Sequence, residues 1–194
     1  MKIIGITGQT GARKSTVCRE LQKIGFYHID ADLVARGLTE KNSPVIPLLC
    51  SAFGEDILNT DGSVNRKALA KKAFSSNENT LLLNSITHPA VTEKIREIIK
   101  EKEAQNCKAV LIDAIALFES GENELCDFTV SVVAPVEIRL KRITERDNIS
   151  REDAMLRISA QQNEAFYREK ADFVIENYPP YELSEQIKRI FKDE

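Results

Sequence analysis

The residues with the clearest chemical potential lie close to the N-terminus. Gly8-Gln9-Thr10-Gly11-Ala12-Arg13-Lys14-Ser15 keeps Gly8, Gly11, Lys14 and Ser15 in the spacing of a phosphate-binding loop, G-x-x-x-x-G-K-[ST], with Arg13 where the pattern has its second glycine. In such a loop the backbone N–H groups fold around phosphate oxygens, and the following helix adds its positive N-terminus. The lysine bridges the outer phosphates and the serine hydroxyl binds Mg²⁺. Thr16 follows closely enough to join it. Arg13 has two readings. It crowds a place built for close backbone approach, or it points outward and adds a cation near a nucleotide. The bland reading of the whole segment is a strand-to-helix turn with an exposed lysine. A strong strand pattern before it and a strong helix pattern after it favour the phosphate loop.

A second constellation is Asp30-Ala31-Asp32, just past a short second strand. Strand ends of this kind face the ligand crevice in open α/β sheets. Asp30 is expected to cap a helix. Asp32 is expected to orient an acceptor hydroxyl and take its proton, or to approach a metal. Asp113 ends the third strand and either binds Mg²⁺ through water or closes a turn. Arg139, Lys141, Arg142, Arg146, Arg151 and Arg157 form a basic run. Arginines on a closing lid can neutralise developing charge. For most of these the expectation is a solvated helix face with i, i+4 pairs such as Lys141 with Glu145. His88, standing before Pro89, reads as a helix-start residue or part of a substrate wall. Phe118, Phe166 and Tyr167 read as packing residues.

The elements that must position these groups alternate. Lys2–Thr7 is an apolar strand. A helix is expected from about Lys14 to Ile24, with Val17, Leu21 and Ile24 on one face and Gly25 ending it. Phe26–Ile29 is the second strand, and a strand–loop–helix–strand opening predicts a parallel sheet. From about Leu33 to Asn106 strand character is low. Ser43-Pro44 reads as an N-cap with proline at the first helical position, Asp61-Gly62 as a turn, and Arg66–Phe74 as a short helix. Thr87-His88-Pro89 opens a longer helix carrying Val91, Ile95, Ile98 and Ile99 on its buried face. Strands return at Ala109–Ile112, Phe128–Val133 and Phe173–Ile175. Pro135 starts one helix, and Ser150-Arg151-Glu152-Asp153 caps another running to about Lys170.

Composition sets the outer bounds. The chain has 194 residues, enough for one good core and a small appended subdomain. At 42% hydrophobic and 29% charged it is ordinary for a globular protein, and a net charge of −3 gives no reason to expect a nucleic-acid partner. No apolar run approaches the ~20 residues that span a bilayer. Met1-Lys2-Ile3-Ile4-Gly5 reads straight into a strand without a leader pattern, so the expected location is cytoplasmic. Cys18, Cys50, Cys107 and Cys126 are too widely spaced for a zinc motif or a disulfide scaffold and are expected as reduced thiols. The histidines, His28 and His88, are also far apart. No protein-bound transition metal is expected.

Further signatures follow in order. They are Ile29-Asp30-Ala31-Asp32-Leu33-Val34-Ala35-Arg36, Phe53-Gly54-Glu55-Asp56-Ile57-Leu58, Asp61-Gly62-Ser63-Val64-Asn65-Arg66 and Ile86-Thr87-His88-Pro89. Leu117-Phe118-Glu119, Arg142, Arg146-Asp147, Arg157, Gln161, Ala171-Asp172 and Asn177 come after them. With the phosphate loop, the series resembles the dephospho-coenzyme A kinase family over nearly the whole chain. The resemblance implies an α/β P-loop kinase with a five-stranded parallel sheet flanked by helices, a helical substrate-binding insertion and a helical lid. On that reading residues 1–36 and 107–194 form the nucleotide-binding core, with the lid at about 139–170, and 37–106 form the helical substrate region. It implies transfer from ATP, with Mg²⁺, to the ribose 3′-hydroxyl of dephospho-coenzyme A. The family's base falls on Asp32 and its lid arginine on Arg142, with Lys14 as the third catalytic group. Gly8, Gly11, Ala12, Arg13, Lys14, Ser15, Thr16 and Asn177 would hold the nucleotide. Asp32, Arg36, Arg66, His88, Leu117 and Glu119 would face the acceptor, and Ser15 and Asp113 the metal. Besides Arg13, this chain has Ile115 where the family usually has proline, and Tyr178-Pro179-Pro180 where a glycine commonly follows Asn177. Two alternatives remain at this point: another small-molecule P-loop kinase, of nucleoside or nucleotide type, or a nucleotide or coenzyme A binding protein impaired by Arg13.

Overall fold

The computed structural model describes residues 1–192. Five strands, β1 (Lys2–Gly8), β2 (Tyr27–Asp30), β3 (Ala109–Asp113), β4 (Phe128–Val133) and β5 (Phe173–Glu176), form one sheet in the order β2-β3-β1-β4-β5. β1 runs parallel to β3, with Ile4 opposite Leu111, and to β4, with Ile6 opposite Val130. β4 runs parallel to β5. Helices flank the sheet. All of β3 and nearly all of β1 and β4 are buried, which is why they read as unbroken apolar runs rather than alternating ones.

The described residues divide into two compact units, residues 1–29 with 102–192, and residues 30–101. The first contains α1 (Lys14–Lys23), α6 (Val136–Asp147), α7 (Arg151–Ser159), α8 (Glu164–Lys170) and α9 (Leu183–Ile190). The second contains α2 (Ala31–Gly37), α3 (Ile46–Phe53), α4 (Arg66–Ala73) and most of α5 (Asn77–Ala104). In the first unit Val17, Cys18 and Leu21 of α1 close over Ile4, Ile6, Leu111, Val130 and Val132, with Phe191 beyond α9. The second unit has its own core of Val45, Leu49, Phe53, Ile57, Val64, Leu69 and Ala73.

Several helix boundaries depart from expectation. Ser43-Pro44 opens no helix. Ser43 instead supports a turn, and α3 starts two residues later with Pro47 in its first turn. Thr87-His88-Pro89 lies inside α5, which begins at Asn77. A mid-helix proline costs about 3 kcal/mol. Here Leu83, Ile86 and Ala90 pack on the second core from both sides of it and hold the helix together. The single helix expected after Ser150 is two, because Asn163 caps a new one by accepting from the Phe166 N–H. Ser150 itself caps α7, accepting from the Asp153 N–H.

The joint between β1 and the loop depends on Gly8. A Cβ at Gly8 would sit 2.3 Å from the Val132 carbonyl oxygen, at a φ of 149°. Gly8→Ala is therefore expected to destabilise the fold by about 3 kcal/mol or more. The check is a fall in the denaturation midpoint with the slope unchanged.

Candidate active site

The phosphate loop forms where β1 meets α1. Gly11 has φ 80°, and a Cβ there would meet the Arg139 backbone at 2.9 Å, so α6 packs directly on the loop. Ala12 is fully buried. Arg13 occupies the N-cap of α1 in the left-handed conformation, φ 64° and ψ 41°, and its side chain makes no capping hydrogen bond. In the first turn of α1 the Thr16 N–H donates to the Arg13 carbonyl at 3.0 Å, and the N–H groups before it are of the kind that a helix start offers to an anion.

The two readings of Arg13 are resolved by this geometry. The backbone takes the conformation that a glycine would adopt without strain, and the side chain is exposed rather than wedged into the loop. The strain is worth about 1–2 kcal/mol, offset in part by the ~0.5–1 kcal/mol that glycine's extra unfolded-state freedom would cost. Arg13→Gly is accordingly expected to raise the melting temperature by roughly 2 °C. A lower melting temperature in thermal unfolding would refute that account of the loop.

Side chains from three segments brace the loop. The Gln161 side chain accepts from the Thr10 N–H at 2.8 Å, and Gln9 Nε2 donates to the Gln162 carbonyl at 3.0 Å. Asn177 Nδ2 donates to the Ala12 carbonyl at 2.9 Å. Arg142 donates to the Gly11 carbonyl at 3.2 Å and to the Asn177 carbonyl at 2.7 Å. Gln161, Asn177 and Arg142 thus work on the loop's backbone before any ligand arrives.

Beside the loop, Gly11, Arg13, Ser15, Thr16, Arg19, Arg142 and Arg146 line a cavity of about 270 Å³. Arg146 is forked onto Asp147, which Arg157 also grips from α7. Arg13, Arg19 and Arg142 have no carboxylate partner among the described residues. Burial, and then the neighbouring Arg13 guanidinium, hold the Arg142 pKa below the usual arginine value. An anion between the two arginines would relieve that repulsion. The Ser15 hydroxyl is exposed and has no protein partner among the described residues, so it suits a hard oxygen-seeking cation such as Mg²⁺.

Lys14 is turned away from solvent onto Asp113, in an ion pair whose two side chains are 14% and 8% exposed. The other oxygen of Asp113 accepts from His28 Nε2 at 3.0 Å and from Cys18 Sγ at 3.4 Å. Both carboxylate oxygens are thus engaged by protein groups. Asp113 would have to give up one of them to serve a magnesium ion.

The other predicted residues fall as follows. Asp30 caps α2, accepting from the Leu33 N–H at 2.9 Å, and Asp32 is left exposed in the first turn of that helix. Arg36 and Arg66 line a cavity of about 700 Å³ in the second unit, together with Lys41 and Lys67. His88 is half-buried within α5, and burial holds its pKa below the usual imidazole value. Glu119 is exposed. Leu117 is fully buried and lies over Gly5 in the sheet. Phe118 packs edge-on against Phe166, and Tyr167 is buried beside it, as packing residues should be. Arg139 departs from the solvated face expected of the basic run. It is only 2% exposed, and its Nε donates to the Ala134 carbonyl beneath the loop. Sequence reasoning also missed Cys18 and His28 as partners of Asp113.

The family model for dephospho-CoA kinase matches residues 2–180. The chain belongs to the dephospho-CoA kinase family. Membership makes it a kinase, a transferase of the last step of coenzyme A biosynthesis. It is 41% identical to a dephospho-CoA kinase of Corynebacterium diphtheriae, over 97% of this chain and 94% of that one. It is 39% identical to that of Carboxydothermus hydrogenoformans, over 99% and 94%. Among solved structures, a Thermus thermophilus protein superposes with a TM-score of 0.82 at 32% identity, over 99% and 97% of the two chains. The dephospho-CoA kinase of Campylobacter jejuni gives 0.70 at 28% identity, over 98% and 96%. A shikimate kinase of Acinetobacter baumannii, at 17% identity and a TM-score of 0.57, shares the P-loop kinase fold.

Proposed function

We propose that the chain transfers the γ-phosphoryl group of ATP to the ribose 3′-hydroxyl of dephospho-coenzyme A, with Asp32, Lys14 and Arg142 as its catalytic groups. The observation that carries this reading is Lys14. It stands at the first position of α1, at the open end of a five-stranded sheet, in a chain whose family phosphorylates this acceptor. Phosphoryl transfer asks a protein mainly for positioning and charge stabilisation. The loop amides and the arginine-lined cavity hold the polyphosphate. Gly8, Gly11, Ala12, Arg13, Ser15, Thr16 and Asn177 shape that site. Lys14 leaves Asp113 for the β- and γ-phosphates. Ser15 would hold Mg²⁺, which when bound neutralises phosphate charge. Asp32 orients the acceptor hydroxyl and accepts its proton. Arg142, already fixed on the loop, places a cation beside the leaving diphosphate.

Residues 30–101 form the acceptor region on this reading, and the segment 139–170 of the first unit serves as the lid. Arg36 and Arg66, in a cavity rich in basic side chains, suit the phosphates of the acceptor. His88 is proposed to face the acceptor as well. A cytoplasmic location is part of the same proposal; among the described residues no helix is long and apolar enough to cross a membrane.

A thermal-shift panel separates this acceptor from others. At a hundredfold excess over its dissociation constant, a ligand stabilises the native state by about 2.7 kcal/mol. Dephospho-coenzyme A is expected to raise the melting temperature, and nucleosides and nucleoside monophosphates at equal concentration are not. The reverse pattern would assign the chain a nucleoside-type acceptor.

A further inference from the structure

We propose that Cys18, His28 and Asp113 form a site for a borderline-soft divalent cation of the zinc type, separate from the magnesium that accompanies ATP. The sequence gives no hint of it, since the three residues are scattered and no zinc spacing is present. The fold gathers them. Cys18 lies one turn beyond Lys14 on α1, so both side chains leave the same face of that helix. His28 is on β2 and Asp113 ends β3, the neighbouring strand. One donor atom from each of the three falls within 4.8 Å of the others.

The distances suit a metal. Tetrahedral zinc holds sulfur at about 2.3 Å and nitrogen or oxygen at about 2.0–2.1 Å, which puts its donor atoms roughly 3.3–3.6 Å apart. Here Cys18 Sγ is 3.4 Å and His28 Nε2 3.0 Å from the same Asp113 oxygen. With the third pair, Cys18 and His28, also inside the 4.8 Å limit, side-chain adjustment about the shared carboxylate turns the hydrogen-bonded cluster into a ligand set. The charges also suit it. A thiolate and a carboxylate match the two positive charges of the ion, so the filled site is neutral beside the Lys14 ammonium. On binding, the Cys18 thiol proton leaves to solvent, and the imidazole carries its proton on Nδ1 so that Nε2 is free to ligate. Cys18 is buried, whereas the His28 side chain remains 21% exposed. That edge gives an entry path and room for water as a fourth ligand. The donor set, one sulfur, one imidazole and one carboxylate, favours zinc or cobalt over magnesium.

The test uses the full-length chain, reduced and stripped of metal, titrated with Co²⁺ in the absence of nucleotide. The expected result is one equivalent bound, with a near-ultraviolet thiolate-to-cobalt charge-transfer band that Zn²⁺ displaces. Cys18→Ala should abolish the band. His28→Ala, at a partly exposed position, should weaken binding about tenfold or more and remove the rise in melting temperature that Zn²⁺ gives. A wild-type protein without the band overturns the proposal. So does a band that survives both substitutions, because it then belongs to Cys50, Cys107 or Cys126. Kinase turnover plays no part in this readout, so the proposal can fail while the kinase reading stands.

Discussion

Asp32→Asn will lower kcat by about 10²–10⁴-fold, the usual contribution of a positioned general base, while the protein stays folded and its melting temperature barely moves. The structure supplies the second half of that statement. Asp32 is exposed in the first turn of α2, and the cap of that helix is Asp30, whose carboxylate accepts from the Leu33 N–H. Removing the Asp32 charge therefore leaves the helix start intact. The asparagine keeps the shape and a hydrogen-bonding oxygen but cannot accept the proton. Acceptor binding should consequently change much less than turnover, and kcat and KM measured together separate the two effects. A variant that turns over at nearly the wild-type rate would remove Asp32 from the mechanism. A variant that loses acceptor affinity at unchanged kcat would make it a binding group only.

The second large effect is expected at Lys14. Lys14→Ala should lower kcat by about 10²–10³-fold, the range for loss of one preorganised charge-stabilising group. The substitution also leaves the Asp113 carboxylate without its cation, among groups that are almost fully buried. Some loss of stability is expected with it, so the kinetics belong well below the variant's melting temperature. The resting ion pair adds a detail. Before nucleotide binds, Asp113 holds Lys14 in a defined place, and the polyphosphate must compete for it. Weakening Asp113 alone, as Asp113→Asn, is expected to change the KM for ATP more than kcat. Equal losses in both would mean that Asp113 acts in the transition state itself.

Much of the scaffold is legible in the residues. β1, β3 and β4 are buried on both faces, so they appear as short apolar runs, and the break at Gly8 marks the turn to α1. The caps at Asp30 and Ser150 are equally readable, because each side chain performs the hydrogen bond that its type prefers, whereas the Asn65 cap of α4 emerges only in the structure. What misled was proline. Pro44 and Pro89 read as helix starts, yet one precedes α3 and the other lies deep inside α5, where apolar packing outweighs the lost hydrogen bond.

The site was legible where chemistry is local and hidden where it is not. The phosphate loop declares itself by spacing, and Asp30 by the cap it makes. Arg13 could be weighed only once its left-handed backbone and exposed side chain were visible. Leu117 carries a family signature but points into the core. Arg139 looked like one more surface cation and is instead a buried support beneath the loop. The gathering of Cys18, His28 and Lys14 around Asp113 follows from strand order, which brings distant segments together without leaving a periodic trace. A search for carboxylates at strand ends, taken with every titratable residue on the adjoining strand and helix, is the one signal that could have found it.

The most direct test is turnover itself. The protein, incubated with Mg·ATP and dephospho-coenzyme A, should yield coenzyme A phosphorylated at the ribose 3′-hydroxyl, and the yield should collapse in Asp32→Asn and Lys14→Ala. That result would also establish that Arg13 in the phosphate loop is compatible with catalysis. A folded protein that binds both substrates yet forms no coenzyme A, and gains activity as Arg13→Gly, would contradict the account of a loop that works as it stands.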